Sequence, residues 1–454
     1  MTSVPQSIVR SSDSVPQGGW MHRVALFPFA TLVIFALVAV FNAIQPADGE
    51  RVSGLTPVLA SKLLVAGAAT ALGGWGLLQS VRVRRCLVSV PGALLSTLAI
   101  LLVGTAMLAN GDWAMISRAS ALIFCGYLVF TVTALVLVSA QDTARAMVVG
   151  GGVFLAITWA LFLFVPSIGV FHEYTNDGTS TVPRMGGTNH PNGVAREAMV
   201  TVILCIALLR AGRLRESIPM LRWSWGSLLL LAVATLAATY SRTSILAGGV
   251  AIGAMLFDKL WGRYGAILVS GFAIMGLTGI LVAGIMAPGD AGDSALSAVT
   301  KSGDVEELTS LTGRTTIWSE AIDWILQKPL TGYGMDSASS VMTKEAVGTH
   351  NLLLHVTFSG GVIAGLILIT LLAMTAYHAA ASQEPLVRGI CTYVLVSGLV
   401  EDTLFESFPA TLTLLWIMAL IGPLVRSWNE ASIAQQPSPD AADANILLHV
   451  THSK

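Results

Sequence analysis

Charge is what this 454-residue chain has least of: Asp, Glu, Lys and Arg make up 11% of it, against roughly 25% in an ordinary soluble domain. With 54% hydrophobic residues, a soluble fold of this size would be short of solvating surface. No GxxxxGK[ST] stretch is present, so the chain has no evident means of hydrolysing a nucleotide, which speaks against an ATP-driven pump. No DxD pair is present either, and Asp290 with Asp293 in a Gly-rich loop is a weak substitute that reads as solvated loop. The formal net charge of -1 excludes a strongly basic nucleic-acid binder, and no basic and aromatic interleaving offers a single-strand track. Cys86, Cys125, Cys205 and Cys391 lie far apart in apolar runs without CxxC spacing, which excludes a disulfide framework or a zinc site and leaves small core residues. A cleaved leader is not expected, because Met1 to Gly19 is polar and rich in Ser and Pro.

What is present is a series of apolar runs of about twenty residues between short polar stretches, the pattern of bilayer-spanning helices. The expected fold is therefore all-α and polytopic, with about twelve transmembrane helices. Their expected ranges are Val24 to Ala43, Leu55 to Leu78, Leu87 to Leu108, Ala119 to Ala140, Ala146 to Val170 and Gly193 to Leu209, then Trp225 to Ala238, Ile245 to Phe257, Tyr264 to Met286, Asn351 to Ala373, Leu386 to Leu404 and Ala410 to Val425. Arg82, Arg84, Arg85, Arg210, Arg213, Arg215, Arg222, Lys259, Arg263 and Arg426 fall on the side shared with both termini, which the positive-inside rule makes cytoplasmic. The chain then divides into a tail (1–23), nine spans (24–287), a long external loop (288–350), three spans (351–425) and a polar, Pro- and Ala-rich tail read as disordered (426–454). Within the long loop, Ile317, Ala321, Trp324 and Ile325 recur at helical spacing over Gly313 to Lys328, which predicts a helix lying on the outer membrane face.

Three outward-side arginines stand out: Arg196 just inside the sixth span, Arg242 between the two short spans seven and eight, and Arg314 at the start of the loop helix. An arginine at membrane depth costs energy unless it meets an anion or a wet cavity, and its planar fork holds phosphate oxygens bidentately. The bland alternative is snorkelling, or pairing with Glu197, Glu320 or Asp323. His350 and Asn351 open the tenth span, and histidine is the usual base near neutral pH, although a lone histidine at a helix start also serves as a hydrogen-bonded structural residue. His355 would point about 140° from His350 on one helix, so the two are not expected to share a metal. His190, Pro191 and Asn192 read as a turn into the sixth span, and Glu401, Asp402 and Glu406 receive no catalytic role.

Four stretches in this order resemble the superfamily of O-antigen ligases and Wzy-type polymerases, particularly exopolysaccharide polymerases of the ExoQ type. They are Gly187-Thr-Asn-His-Pro-Asn-Gly193, Tyr240-Ser-Arg-Thr243, Gly313-Arg-Thr-Thr-Ile-Trp318 with Lys328-Pro-Leu-Thr-Gly-Tyr-Gly334, and His350-Asn351 followed by Gly360-Gly361. The resemblance implies a bacterial inner-membrane glycosyltransferase whose site faces the periplasm. It would move a glycan from undecaprenyl pyrophosphate to the hydroxyl of another lipid-linked repeat unit, with no nucleotide, metal or other cofactor. It further implies His350 as base, Arg242, Arg314 and Arg196 on the donor pyrophosphate, and Asn351 beside the acceptor. The expected partners are the undecaprenyl-pyrophosphate-linked glycan, membrane lipid and other polysaccharide assembly proteins, with no nucleic acid. Ligation to lipid A core or protein is the nearest alternative. A transporter or flippase is the alternative from another class, and it would place its polar site at mid-membrane, often between repeats.

Overall fold

A computed structural model describes residues 17–45, 56–174, 181–186, 188–210, 219–257, 314–342 and 348–434. In chain order they form α1 (Gln17–Phe41), α2 (Pro57–Gln79), α3 (Val81–Val88), α4 (Val90–Leu108), α5 (Ala114–Leu137), α6 (Ala140–Phe164) and α7 (Pro166–Gly169). A two-stranded hairpin, β1 (Val170–Tyr174) and β2 (Thr181–Met185), precedes α8 (Pro191–Arg210), α9 (Pro219–Thr239) and α10 (Arg242–Leu256). Then come α11 (Arg314–Gln327), α12 (Ala338–Val341), α13 (Leu352–Ala381), α14 (Pro385–Ser397) and α15 (Thr411–Ala434). The helix expected over Gly313 to Lys328 is present as α11.

The protein is a multi-pass membrane protein of helices, but the expected count of about twelve spans is corrected. Among the described residues, 6 helices are long and apolar enough to cross a bilayer: α2, α4, α5, α6, α8 and α13. The apolar parts of the others are shorter: Leu26–Phe41, Trp225–Thr239, Arg242–Leu256, Pro385–Ser397 and Thr411–Arg426. At 1.5 Å per residue, a 15-residue helix such as α10 reaches about 22 Å, short of the roughly 30 Å hydrocarbon core. The physical reason is that hydropathy follows composition, whereas the backbone leaves the helix where it serves polar groups. The expected span from Leu386 to Leu404 is helical only to Ser397, and the backbone from 398 to 410 is irregular. Irregular backbone is tolerated at such depth only where protein surrounds it. The all-α expectation holds apart from the β1–β2 hairpin, in which Phe171 pairs with Arg184 and Glu173 with Val182. The expected span from Tyr264 to Met286 and loop residues 288–313 and 343–347 lie outside the described residues, as do the N-terminal end and the last 20 residues.

Side chains from most of the helices share one core, in which Phe35, Phe124, Phe130, Tyr127, Phe405 and Trp416 are fully buried. A smaller cluster forms under α11, where Ala321, Ile325 and Tyr333 pack on Phe358 of α13. This second cluster is fastened by backbone bonds: Tyr333 and Gly334 donate to the carbonyls of Phe358 and Ser359, both at 2.9 Å, and Val362 donates to Pro329 at 2.7 Å. The fastening needs two glycines. Gly361 (φ 78) breaks α13, and a Cβ there would run into the Leu330 carbonyl, while Gly332 (φ 58) would place one 2.6 Å from the Phe358 oxygen. Left-handed backbone of this kind favours glycine.

Candidate active site

Helix ends and the segments that join them come together around residues 42–45, 188–192, 350–352 and 398–409, and they carry the polar residues. Residues 42–45 after α1 bridge two other segments: Gln45 donates its backbone N–H to the Thr188 carbonyl (2.8 Å), and Asn42 donates from its side chain to Pro409 (2.8 Å). Asn189 returns a bond to the Ala43 carbonyl at 2.8 Å. Around this frame stand a hairpin arginine, the turn into α8, the start of α13 and the irregular backbone after α14.

Arg184 of β2 is buried and spends its guanidinium on three separate stretches. Its Nε donates to the Thr239 carbonyl at the end of α9 (2.7 Å), one terminal nitrogen pairs with Glu173 of β1, and the other donates to Asn192 Oδ1 (3.2 Å). The Asn192 amide then donates to Glu401 Oε1 at 3.2 Å. The other Glu401 oxygen lies 3.7 Å from His350 Nδ1. A continuous path therefore runs from the residue before Tyr240-Ser-Arg-Thr243, through the Pro191-Asn192 turn, to His350.

His350 does not belong to a helix. Its φ of 47 puts it in left-handed backbone, and Asn351 caps α13 by accepting from the Leu354 N–H (3.0 Å). The Asn351 amide donates to the Leu399 carbonyl (2.9 Å), and Leu352 donates its backbone N–H to Gly398 (2.9 Å), so the start of α13 is stitched to the stretch that carries Glu401. Both ends of the Asn351 side chain are thus engaged with the chain itself. Because His350 precedes the cap, the 140° helical phase with His355 does not apply. The two histidines are separated by partner instead: His355 Nδ1 stands 3.5 Å from Asp402, and its Nε2 lies 3.1 Å from the Phe405 carbonyl.

Of the three arginines singled out in the sequence, Arg196 is largely buried and forms an ion pair with Glu406, which also accepts from Gln45 (3.1 Å). Its partner is none of Glu197, Glu320 or Asp323; Glu197 accepts instead from Thr411 (2.8 Å). Lys62 of α2, buried within the same region, lies 5.2 Å over the Phe408 ring. Arg242 is the first residue of α10, exposed, after the bonded Thr239, the left-handed Tyr240 (φ 51) and the cap residue Ser241. Arg314 is the first residue of α11, and its side chain lies outside what the structure describes.

His190 shares these surroundings with Arg184, Glu173, Glu401 and His350. Burial, reinforced by the Arg184 charge, pushes its imidazole down to about 4. It is neutral at pH 7, in keeping with Nδ1 accepting the Asn192 N–H at 3.3 Å. One ligand atom each from His350, Glu401 and Asp402 lie within 4.8 Å of one another, a grouping of acceptors that suits a proton or a cation.

The arrangement adds residues that the sequence reading passed over. Arg184 was absent from it, although Asn176-Asp177-Gly178 between Glu173 and Arg184 is a hairpin signal. Glu401 and Glu406 were left without a role, although carboxylates in an apolar run require partners.

Residues 227–369 match the family model described as O-Antigen ligase. The matched stretch runs from α9 into α13 and contains Arg242, Arg314, His350 and Asn351; Arg184, Asn192, Arg196 and Glu401 lie outside it. No curated protein matches the chain.

Proposed function

We propose that this protein is a bacterial inner-membrane glycan polymerase of the O-antigen ligase and Wzy-type polymerase superfamily, taking an undecaprenyl-pyrophosphate-linked glycan as donor at the periplasmic face. The observation that carries the reading is the side-chain path through Arg184, Asn192 and Glu401 that links the Thr239–Arg242 segment to His350, its last step a 3.7 Å approach, with Arg242 and His350 themselves inside the stretch that matches the family described as O-Antigen ligase. A base and an arginine-lined phosphate site are the parts such a transfer requires.

In the reaction, His350 takes the proton of the acceptor hydroxyl as that oxygen attacks the anomeric carbon. The new carbon–oxygen bond forms as the bond to the pyrophosphate breaks, and the electron pair leaves on the phosphate oxygen. Arg242 and Arg314 stabilise that growing charge, which lets the leaving group depart without a strong acid. Direct displacement inverts the anomeric centre. Arg196, committed to Glu406, contributes by holding the irregular segment in place, and Asn351 contributes by fixing the backbone that presents His350. The free energy resides in the donor, and no nucleotide is consumed.

The family description favours a second reading, in which the finished glycan goes to lipid A core or to a protein. The glycan phenotype of a deletion strain separates the two. Single repeat units on lipid carriers are expected for a polymerase. Long lipid-linked chains that never reach their acceptor would establish the ligase, and normal polymer on its normal acceptor would refute both.

A further inference from the structure

We infer that Glu401 is the positioning carboxylate for His350, and that Arg184 fixes where Glu401 stands through Asn192. The inference rests on the base role of His350. Its geometry is independent of the family match, since all three residues fall outside residues 227–369.

The two Glu401 oxygens have different partners: one accepts from Asn192 at 3.2 Å and the other faces His350 Nδ1 at 3.7 Å. The bond at one oxygen limits how far the other can swing from the ring, and at 3.7 Å a small approach brings it to hydrogen-bond distance of Nδ1. A proton on Nδ1, directed at Glu401, leaves the Nε2 lone pair free for the acceptor hydroxyl, and the carboxylate stabilises the imidazolium once Nε2 has taken that proton. No proton need pass to Glu401. The neighbouring carboxylate is engaged elsewhere, because Asp402 faces His355 at 3.5 Å. Asn192 is oriented in turn, since Arg184 donates to its oxygen and leaves its NH2 group to point at Glu401. The same guanidinium holds the Thr239 carbonyl, three residues before Arg242. Arg184 thus sets the base side and the phosphate side of the site against one another, a three-partner task that a lysine point charge cannot perform.

The test uses the full-length protein in lipid nanodiscs with undecaprenyl-pyrophosphate-linked repeat units extracted from a deletion strain. Glu401→Gln keeps an acceptor for Asn192 but removes the charge. It is expected to lower kcat by about tenfold to a hundredfold, part of what a positioned base contributes, with the donor KM within about twofold of the parent. Glu401→Asp should recover much of the loss. Arg184→Lys should lower kcat in the same way by less, and should add little to Glu401→Gln, since the two act along one path. A parental kcat in Glu401→Gln would overturn the inference, as would equal losses in Gln and Asp that track protein abundance. Should Glu401→Gln fail to accumulate, Asn192→Ala removes the amide that orients Glu401 together with the oxygen that Arg184 holds, and a parental kcat there would equally overturn the relay. Loss of activity in EDTA with recovery in Mn²⁺ would also overturn it, by making His350, Glu401 and Asp402 a cation site. The control is His350→Ala: a parental rate there fells the base reading itself, whereas an inactive His350→Ala beside a fully active Glu401→Gln fells only the present inference.

Discussion

Two regions of the molecule hold residues that carry the family resemblance, and they fix them in opposite ways. The fastening of Lys328–Gly334 onto the break in α13 is made of backbone: carbonyls, N–H groups and two glycines without side chains, closed over by Trp324, Tyr333 and Phe358. The polar knot around Glu401 is made of side chains: Arg184, Asn192, Glu401 and His350, each meeting a partner far away in the sequence. A motif residue can therefore be fixed by geometry or by chemistry, and a sequence match alone does not tell the two apart.

The largest effect expected from breaking the comparison is at His350. His350→Ala should lower the transfer rate by about a hundred- to ten-thousandfold while the protein accumulates normally, measured as elongation of lipid-linked repeats against abundance in the membrane. Gly361→Ala should show the inverse pattern. Forcing a side chain into a left-handed position against the Leu330 carbonyl costs about 1–3 kcal/mol, so thermal stability and yield should fall while the activity per folded molecule changes little. Were Gly361→Ala to fold normally and lose its rate, the fastening would belong to the chemistry after all.

Arg242→Lys should be milder, at roughly tenfold in rate with a weakened donor interaction, because a point charge replaces a bidentate fork. A parental KM and kcat in this variant would remove Arg242 from the donor site. The smallest effect concerns pH. The His190 value falls from 6.5 to about 4 on folding, so the folded protein resists a proton that the unfolded chain accepts. The stability this confers is complete above about pH 6.5 and is lost as pH falls toward 4. His190→Asn, which keeps an acceptor for the Asn192 N–H, should flatten the thermal-stability profile across that window. An unchanged slope would assign the acid sensitivity to other groups.

Much of the membrane character was legible in the sequence because it follows from composition: the long runs became α2, α4, α5, α6, α8 and α13. The number of spans was not legible. The stretch from Leu386 to Leu404 is apolar enough to suggest a span, yet the helix ends at Ser397, and Glu401, Asp402 and Glu406 lie in the irregular backbone that follows. His350, Asn351 and Arg242 were legible as candidates because charge and imidazole are conspicuous at the ends of apolar runs. Their supports were hidden, since Asn192 and Glu401 are 209 residues apart and no local periodicity links them. Nor could composition tell that Arg196 already has a carboxylate of its own in Glu406.

That long separation bears on how the protein is made. A ribosome extending the chain by about 5–20 residues per second needs some 10–40 s to travel from Asn192 to Glu401. Over this interval Arg196 has entered the membrane with α8 before its counter-charge has been synthesised. Asn42, whose amide closes on the Pro409 carbonyl 367 residues downstream, waits longer still. The last stretch of the chain thus acts as a keystone, and a ribosome stalled before residue 401 would leave earlier helices carrying exposed polar groups of the kind that membrane quality-control proteases can recognise.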